Sequence, residues 1–482
     1  MIEKLSNGLN FTLLADFYEL TMSNGYFVKG KANENACFDM FFRRVPDNGG
    51  YAIMAGVEQL CEYIKNIKFT TEDIAYLRNK NMFSDEFLSY LESFKFECDV
   101  WAIPEGTPIF PNEPIITVKG PLIQAQFIET MILLIVNHQS LITTKANRIV
   151  RAAERRKVFE FGSRRAQGAY GAIMGARSAY IGGCFGTACT IAEQMFDIPA
   201  VGTMAHSWIQ SFDTEYEAFK AYAEIYPEKC VFLIDTYNVL KSGIVNAVRV
   251  FDEVLKPKGC RPAGVRIDSG DITYLSKKVR EILDNAGYSD CPIMASNSLD
   301  EYIIKDTLRQ GAKIDLFGVG ERLITSKSEP VFGGVYKLVA IEKEGKFVSK
   351  IKKSENVSKI TTPGFKTVYR LFSKETNKAI ADVVTLFDEV IDDSKDYVIF
   401  DPEHTWKKKT VTNFTAKKLP VKIFDKGKCV YNNPSIKEIR SYCQNQLETL
   451  WDEVKRFENP HTYYVDLSQK LWNEKNALLE QN

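Results

Sequence analysis

From residue 158 onward the chain repeats one unit. A short apolar run leads into a turn of small or polar residues, and most turns lead into a segment with helical periodicity. The runs are Val158-Phe159-Glu160-Phe161, Ala179-Tyr180-Ile181, Ala200-Val201, Val231 to Asp235, Gly264 to Asp268, Ile293 to Ser296 and Ile314 to Val319. The periodic segments between them are 191–196, 214–226, 242–255, 272–286 and 299–310. Apolar strands alternating with helices lie parallel, each helix carrying the chain back across the sheet. About seven such units predict a parallel α/β barrel or an open sheet, with an irregular barrel expected over residues 141–334. In barrels of this kind the chemistry gathers at the carboxyl ends of the strands.

The flanks read differently. Residues 12–28 predict a helix with an aromatic side. Residues 36–43, 51–55, 100–106 and 115–121 predict strands, the last two broken by Pro and Gly. Helices are expected over 57–64, 71–79, 84–94, 124–136 and 140–154. Strand patterns return at 335–341, 346–349, 367–372 and 384–386, which predicts that the chain comes back to the sheet begun by its first third. An α+β domain is therefore expected from 1–140 with 335–400. A hairpin over 419–431 and a polar-faced helix over 434–456 would form a C-terminal extension, 401–482, with a frayed tail from 475.

A chain of 482 residues exceeds what one core usually serves. Lys+Arg and Asp+Glu are both 62, so no global field favours nucleic acid or a membrane surface. The ten cysteines contain no C-x-x-C pair and suit buried thiols rather than a disulfide framework or zinc site. The apolar stretch 131–136 is too short to cross a bilayer and suits a core helix. No cationic-then-apolar pattern opens the chain, so the cytoplasm is the expected location.

Polar residues cluster at the predicted strand ends: Arg164, Arg165, Thr187, His206, Asp235, Asp268, Asp271, Asn297 and Gly320. Turns need Gly, Ser and Asp but do not need Arg or His. His206, in Gly202-Thr203-Met204-Ala205-His206-Ser207, could be a base, a metal ligand or a nucleophile; an isolated histidine is more often a packing residue. Arg164, Arg165 and Arg266 could grip an anion through a planar fork or pair at the barrel rim. Asp268 and Asp271 could hold ribose or Mg2+, although Asp271 directly before Ile272 also suits a helix N-cap. The glycine-rich stretches 182–187 and 317–322 read as turns near helix starts, able to bring backbone N–H groups to phosphate, but match no phosphate-loop fingerprint.

These segments resemble one family closely. Leu14 to Met22, Phe161 to Gly168, Gly202 to Ser207, Arg266 to Asp271, Ala295-Ser296-Asn297, Phe317 to Gly320, Gly333 to Leu338 and Glu458 to His461 match, in order, motifs of nicotinate phosphoribosyltransferases of the type II phosphoribosyltransferase fold. The resemblance implies that nicotinate and phosphoribosyl pyrophosphate give nicotinate mononucleotide and pyrophosphate, in NAD salvage. It implies ATP hydrolysis coupled through a phosphohistidine, with His206 at that position, and Mg2+ as cofactor. Thr203 and Ser207 beside it, and Arg164, Arg165 and Arg266, fall in substrate-binding motifs. Tyr18 matches an aromatic lent by a neighbouring subunit, which implies a homodimer. Lys337 matches a phosphate-side lysine; Asn297, Gly318 and Gly320 match phosphate-cradling strand ends; Asp268 is placed near ribose or Mg2+. One departure is Glu321, where the family often has Thr; its carboxylate would repel phosphate unless Arg322 neutralises it. A nicotinamide-specific enzyme would suit an aspartate near the ring better than the Ser163-Arg164-Arg165 turn. A quinolinate-specific enzyme is usually shorter, and an inert nucleotide sensor would not need His206.

Overall fold

A computed structural model of the chain describes residues 10–481. It divides into two compact units: one formed by residues up to Leu141 with those from Val331 onward, the other by Ile142–Pro330.

In the Ile142–Pro330 unit, six parallel strands form a curled sheet in the order Gly186–Thr187, Lys157–Glu160, Leu316–Val319, Ile293–Ser296, Gly264–Ile267 and Val231–Leu233. Ala200 extends one edge by an isolated parallel bridge to Thr187. Two expectations need correction. Ala179-Tyr180-Ile181 ends the helix Gly168–Ile181, whose last eight residues are all buried. A helix buried on every side loses its amphipathic stripe and imitates a buried strand. Conversely Gly186–Thr187, read as part of a turn, is a strand because its backbone lies against Phe159 and Glu160. The preceding glycines also differ from expectation: Gly182 and Gly183 close a helix rather than open one. The core between this sheet and its helices is aromatic, with Phe232 stacked between Phe219 and Phe251 at ring distances of 4.6 and 5.5 Å.

The other unit is built on antiparallel sheets. Its largest runs Lys346–Ser349, Gly334–Lys343, Asn35–Phe42, Ile116–Pro121, Asp99–Ala102, Val421–Asp425 and Lys428–Cys429. The expected return of the chain is thus met: Asn35–Phe42 pairs with Gly334–Lys343 on one side and Ile116–Pro121 on the other. The hairpin near 426–428 adds its two strands to the same sheet, so residues 401–482 contribute to this unit. The tail is also better ordered than expected, because Ser468 caps a helix running Gln469–Glu480. The helix expected over 434–456 stops at Glu448.

The helical stretch Leu122–Ala152 is long and apolar enough, by length and composition, to cross a membrane, and most of it is buried inside the protein as a core helix. Its break falls at Ile128 rather than at 137–139. Asn137 in that expected gap accepts from the Gly334 N–H (3.1 Å), and Ser140 just after it accepts from the Ala55 N–H (3.1 Å). All ten cysteines are free thiols, and most are buried.

Buried ion pairs tie the first unit's sheets. Asp39 accepts from Thr117 (2.6 Å) and from the Lys366 ammonium. Arg370 grips Asp382 with two bonds of 2.8 and 2.6 Å, both residues having no exposed surface. Burial and the Asp382 charge together push the adjacent Glu113 carboxyl well up. Removing one member of a buried pair strands its partner's charge. Arg370→Met is therefore expected to destabilise the protein by about 3–5 kcal/mol, read as a lowered denaturant midpoint against the unsubstituted chain.

Candidate active site

The strand ends of the Ile142–Pro330 unit converge on one network. The Arg266 guanidinium donates to Ser296 Oγ (2.9 Å), to Thr203 Oγ1 (3.1 Å) and to Asp268 Oδ1 (3.0 Å). It also lies over the Phe161 ring, 5.6 Å from the centroid. Three of its five N–H groups are committed and two remain for a ligand. Ser296 also donates to Asp268. On its other oxygen, Asp268 stands 3.9 Å from His206 Nε2. The His206 Nδ1 is held by Thr236 Oγ1 at 3.1 Å. His206 is therefore neither in apolar packing nor remote from the arginine-bearing strand. Its ring is 43% exposed, open enough to meet a ligand.

The backbone explains why the ring sits there. Met204 is buried in the unit's core and anchors the turn from below, leaving Thr203 and His206 partly exposed on either side of it. The turn follows the Ala200 bridge at one edge of the sheet, whereas Thr236 follows the strand at the other edge. The His206–Thr236 and Arg266–Thr203 bonds thus join segments that the backbone ladder leaves apart.

Asp235 supports this arrangement. Its Oδ2 accepts from the Asp268 N–H (3.1 Å) and from Ser269 Oγ (2.5 Å), which orients the Asp268 turn. Its Oδ1 is buried without a hydrogen-bond partner. Asp271, by contrast, is a helix N-cap, accepting from the Tyr274 N–H at 2.9 Å.

Arg164 and Arg165 occupy a short helical turn, Ser163–Arg165, and are exposed. Buried Glu160 fixes that turn, accepting from the Gly162 N–H and from Thr187 Oγ1 (2.5 Å). Burial pushes the Glu160 carboxyl up, and these two donors offset that only in part. Glu160 escaped the sequence reading, although a lone acid inside Val-Phe-Glu-Phe was its signal. Asp235 was visible as a strand-end acid; Thr236 and Ser296 carried no signal beyond lying at strand ends.

Gly318 and Gly320 are required by packing. A Cβ on Gly318 would lie 2.6 Å from the Phe161 ring, and one on Gly320 would lie 3.0 Å from the Phe161 carbonyl oxygen. Asn297 is exposed in a left-handed backbone conformation (φ 86°). Ser207 is exposed on the helix His206–Gln210, and its hydroxyl does not join the network. The condition that Arg322 neutralise Glu321 is not met by a direct pair. Arg322 pairs with Asp300, and Glu321 pairs with Lys327 at 2.8 Å. Lys327 holds the Glu321 carboxyl below its ordinary range, with smaller pulls from Arg165 and Arg322.

Tyr18 and Lys337 belong to the other unit, where both adjoin Glu129. Lys337 Nζ lies 3.6 Å from a Glu129 oxygen and donates to the Tyr336 carbonyl at 2.7 Å. Burial and the Glu129 charge raise the Tyr18 hydroxyl's pKa. Neighbouring Glu19 accepts from Thr130 N–H and Oγ1 (3.0 and 2.6 Å), and burial pushes its carboxyl up to about 7. Tyr18 lies on the helix Phe17–Val28, which leaves Phe17, Tyr18 and Met22 exposed.

Comparisons with known proteins point to one family. Residues 13–137 match the nicotinate phosphoribosyltransferase N-terminal domain, 156–387 the nicotinate phosphoribosyltransferase family and 365–475 its C-terminal domain. A nicotinate phosphoribosyltransferase of Bacillus subtilis is 45% identical over 468 residues, covering 97% of this chain and 94% of its own. The crystal structure of human nicotinic acid phosphoribosyltransferase superposes with a TM-score of 0.85 at 27% identity, over 96% of this chain and 99% of that one. That of a nicotinate-nucleotide pyrophosphorylase from Pyrococcus furiosus gives 0.70 at 26% identity, over 91% and 96%. With domain matches along most of its length and a relative this similar, the chain belongs to the nicotinate phosphoribosyltransferase family.

Proposed function

We propose that this enzyme joins nicotinate to the ribosyl carbon of phosphoribosyl pyrophosphate, releasing pyrophosphate, and couples the step to ATP hydrolysis through phosphorylation of His206. The observation that carries the reading is the Thr203–Arg266–Asp268 network with His206 open beside it. Breaking the anomeric C–O bond leaves positive character on ribose and negative charge on the departing pyrophosphate. Fixed cationic and N–H groups lower that barrier without reorganising. The pyridine nitrogen attacks from the opposite face and needs positioning more than a general base. Arg266, held in one geometry by three bonds, has two N–H groups left for an anionic oxygen. The exposed Arg164 and Arg165 supply further positive charge suited to a carboxylate or phosphate.

His206 suits phosphoryl transfer. With Nδ1–H donating to Thr236, the Nε2 lone pair is free to attack a terminal phosphate. Asp268 on that side stabilises the ring when it carries positive charge. Among the described residues no three His, Cys, Asp or Glu side chains form a metal cage. The donor set fits Mg2+ held mainly by substrate phosphates, with Asp268 and the unpartnered Asp235 oxygen as its hard protein ligands. When bound, Mg2+ would neutralise the charge of the leaving pyrophosphate. The exposed Phe17, Tyr18 and Met22 support a homodimer in which Tyr18 reaches the other copy's base.

With ATP, Mg2+ and phosphoribosyl pyrophosphate present, nicotinate is expected to exceed nicotinamide in kcat/KM by roughly a hundredfold or more, because the amide leaves cationic donors unpaired. Equal turnover of the two bases would refute the carboxylate role of the arginines. His206→Ala is expected to abolish both ATP hydrolysis and the acid-labile phosphoprotein, leaving slow base transfer that ATP no longer stimulates. Surviving ATP stimulation in that variant would place the phosphoryl acceptor elsewhere.

A further inference from the structure

A cavity of about 1010 Å3 lies wholly within the unit formed by residues up to 141 and from 331, and none of the residues predicted for the reaction site lines it. Its volume is at the upper end of the range in which small ligands are enclosed. Five cations line it: Arg43 just beyond the strand Asn35–Phe42, Lys407 just before the strand Lys408–Val411, Lys408 and Lys409 on that strand, and Lys475 on the helix Gln469–Glu480. Aromatic rings complete the wall. Phe400 and Trp472 meet edge to face at 6.1 Å, and the Trp472 indole N–H donates to the Pro402 carbonyl, which fixes its plane.

The charges in this cavity do not cancel among themselves. The Arg43 Nε is buried without a hydrogen-bond partner, its guanidinium lying 5.5 Å from the Phe41 ring centroid. Lys475 is half-buried and its ammonium makes no hydrogen bond among the described residues; burial lowers its pKa, and Glu403 only partly compensates. Of the three acids in the lining, Asp401 is already engaged by His404 (3.1 Å) and Lys407 (3.8 Å). Burial and then the Asp401 charge push Asp466 up to about 7, which reduces its negative charge at neutral pH. Partly desolvated cations without counter-ions are costly, and a bound anion relieves that cost. An aromatic platform beside them accepts the face of a heteroaromatic base.

We propose that this cavity is a second, non-catalytic site that binds a nucleotide: phosphate against Arg43, Lys475 and the Lys408–Lys409 strand, base against Trp472. The test is calorimetric titration of the full chain with AMP and, separately, inorganic phosphate, each run with and without nicotinate mononucleotide filling the reaction site. One AMP per chain is expected, bound at least tenfold more tightly than phosphate and quenching the fluorescence lost in Trp472→Phe. Arg43→Met and Lys475→Met should each weaken AMP at least tenfold. The paired surface change Lys408→Glu with Lys409→Glu should do the same without touching the core, and its transferase rate without AMP should stay within twofold of the parent. Absence of AMP binding, AMP no tighter than phosphate, undiminished AMP binding in the Lys408/Lys409 variant, or a tenfold loss of its AMP-free rate would each overturn the proposal.

Discussion

The carboxylate of Asp268 is the constraint on which the active-site arrangement depends. Its Oδ1 takes both the Arg266 guanidinium and the Ser296 hydroxyl, and its Oδ2 faces His206. Its own backbone N–H is pinned by Asp235. Charge-assisted bonds of this kind set orientation as well as energy. Without the carboxylate, Arg266 would lose its counter-ion and His206 the negative charge beside its Nε2. Three strands and the turn after Ala200 are thereby brought into one working geometry.

The open sheet makes this side-chain network necessary. A closed ring of strands would hold every strand end by backbone bonds. Here Val231–Leu233 and the Ala200 bridge are the two edges of the ladder. Thr236 and Thr203 follow those edges, and side chains rather than backbone carry the connection. The antiparallel unit solves a different problem. Its first long strand, Asn35–Phe42, pairs with a strand some three hundred residues later, and the buried Asp39–Lys366 contact reinforces that long-range join. A non-local pairing like this gains its stability only after a large loop has closed.

Legibility varied with the physical origin of each feature. The helices at 57–66, 272–285 and 301–309 were readable because each shows one face to the core. Ala179-Tyr180-Ile181 was misread because a fully buried helix has no polar face to betray its period. Gly186–Thr187 was invisible because two residues of strand carry no periodicity; neighbours make them a strand. At the site, Arg266 and His206 stood out because turns have no need of Arg or His, and Asp268 stood out only by its place at a strand end two residues after Arg266. Glu160, Thr236 and Ser296 did not, since a buried acid and common hydroxyls acquire their roles only from what lies beside them. Arg322 was the obvious neutraliser of Glu321 by adjacency in sequence. Successive residues at a helix start point in different directions, so Lys327, six residues on, takes that place.

The amino-acid order alone determined the class of architecture, the family and the chemical types available at each strand end. Periodicity and turn composition are local properties, written within a few residues of one another. Which hydroxyl holds the histidine, which acid orients Asp268, which lysine neutralises Glu321 and which glycine must lack a Cβ were decided by the tertiary structure. Each of these depends on a contact between residues remote in sequence or on the direction of a side chain, and both are set only when the backbone has closed around them.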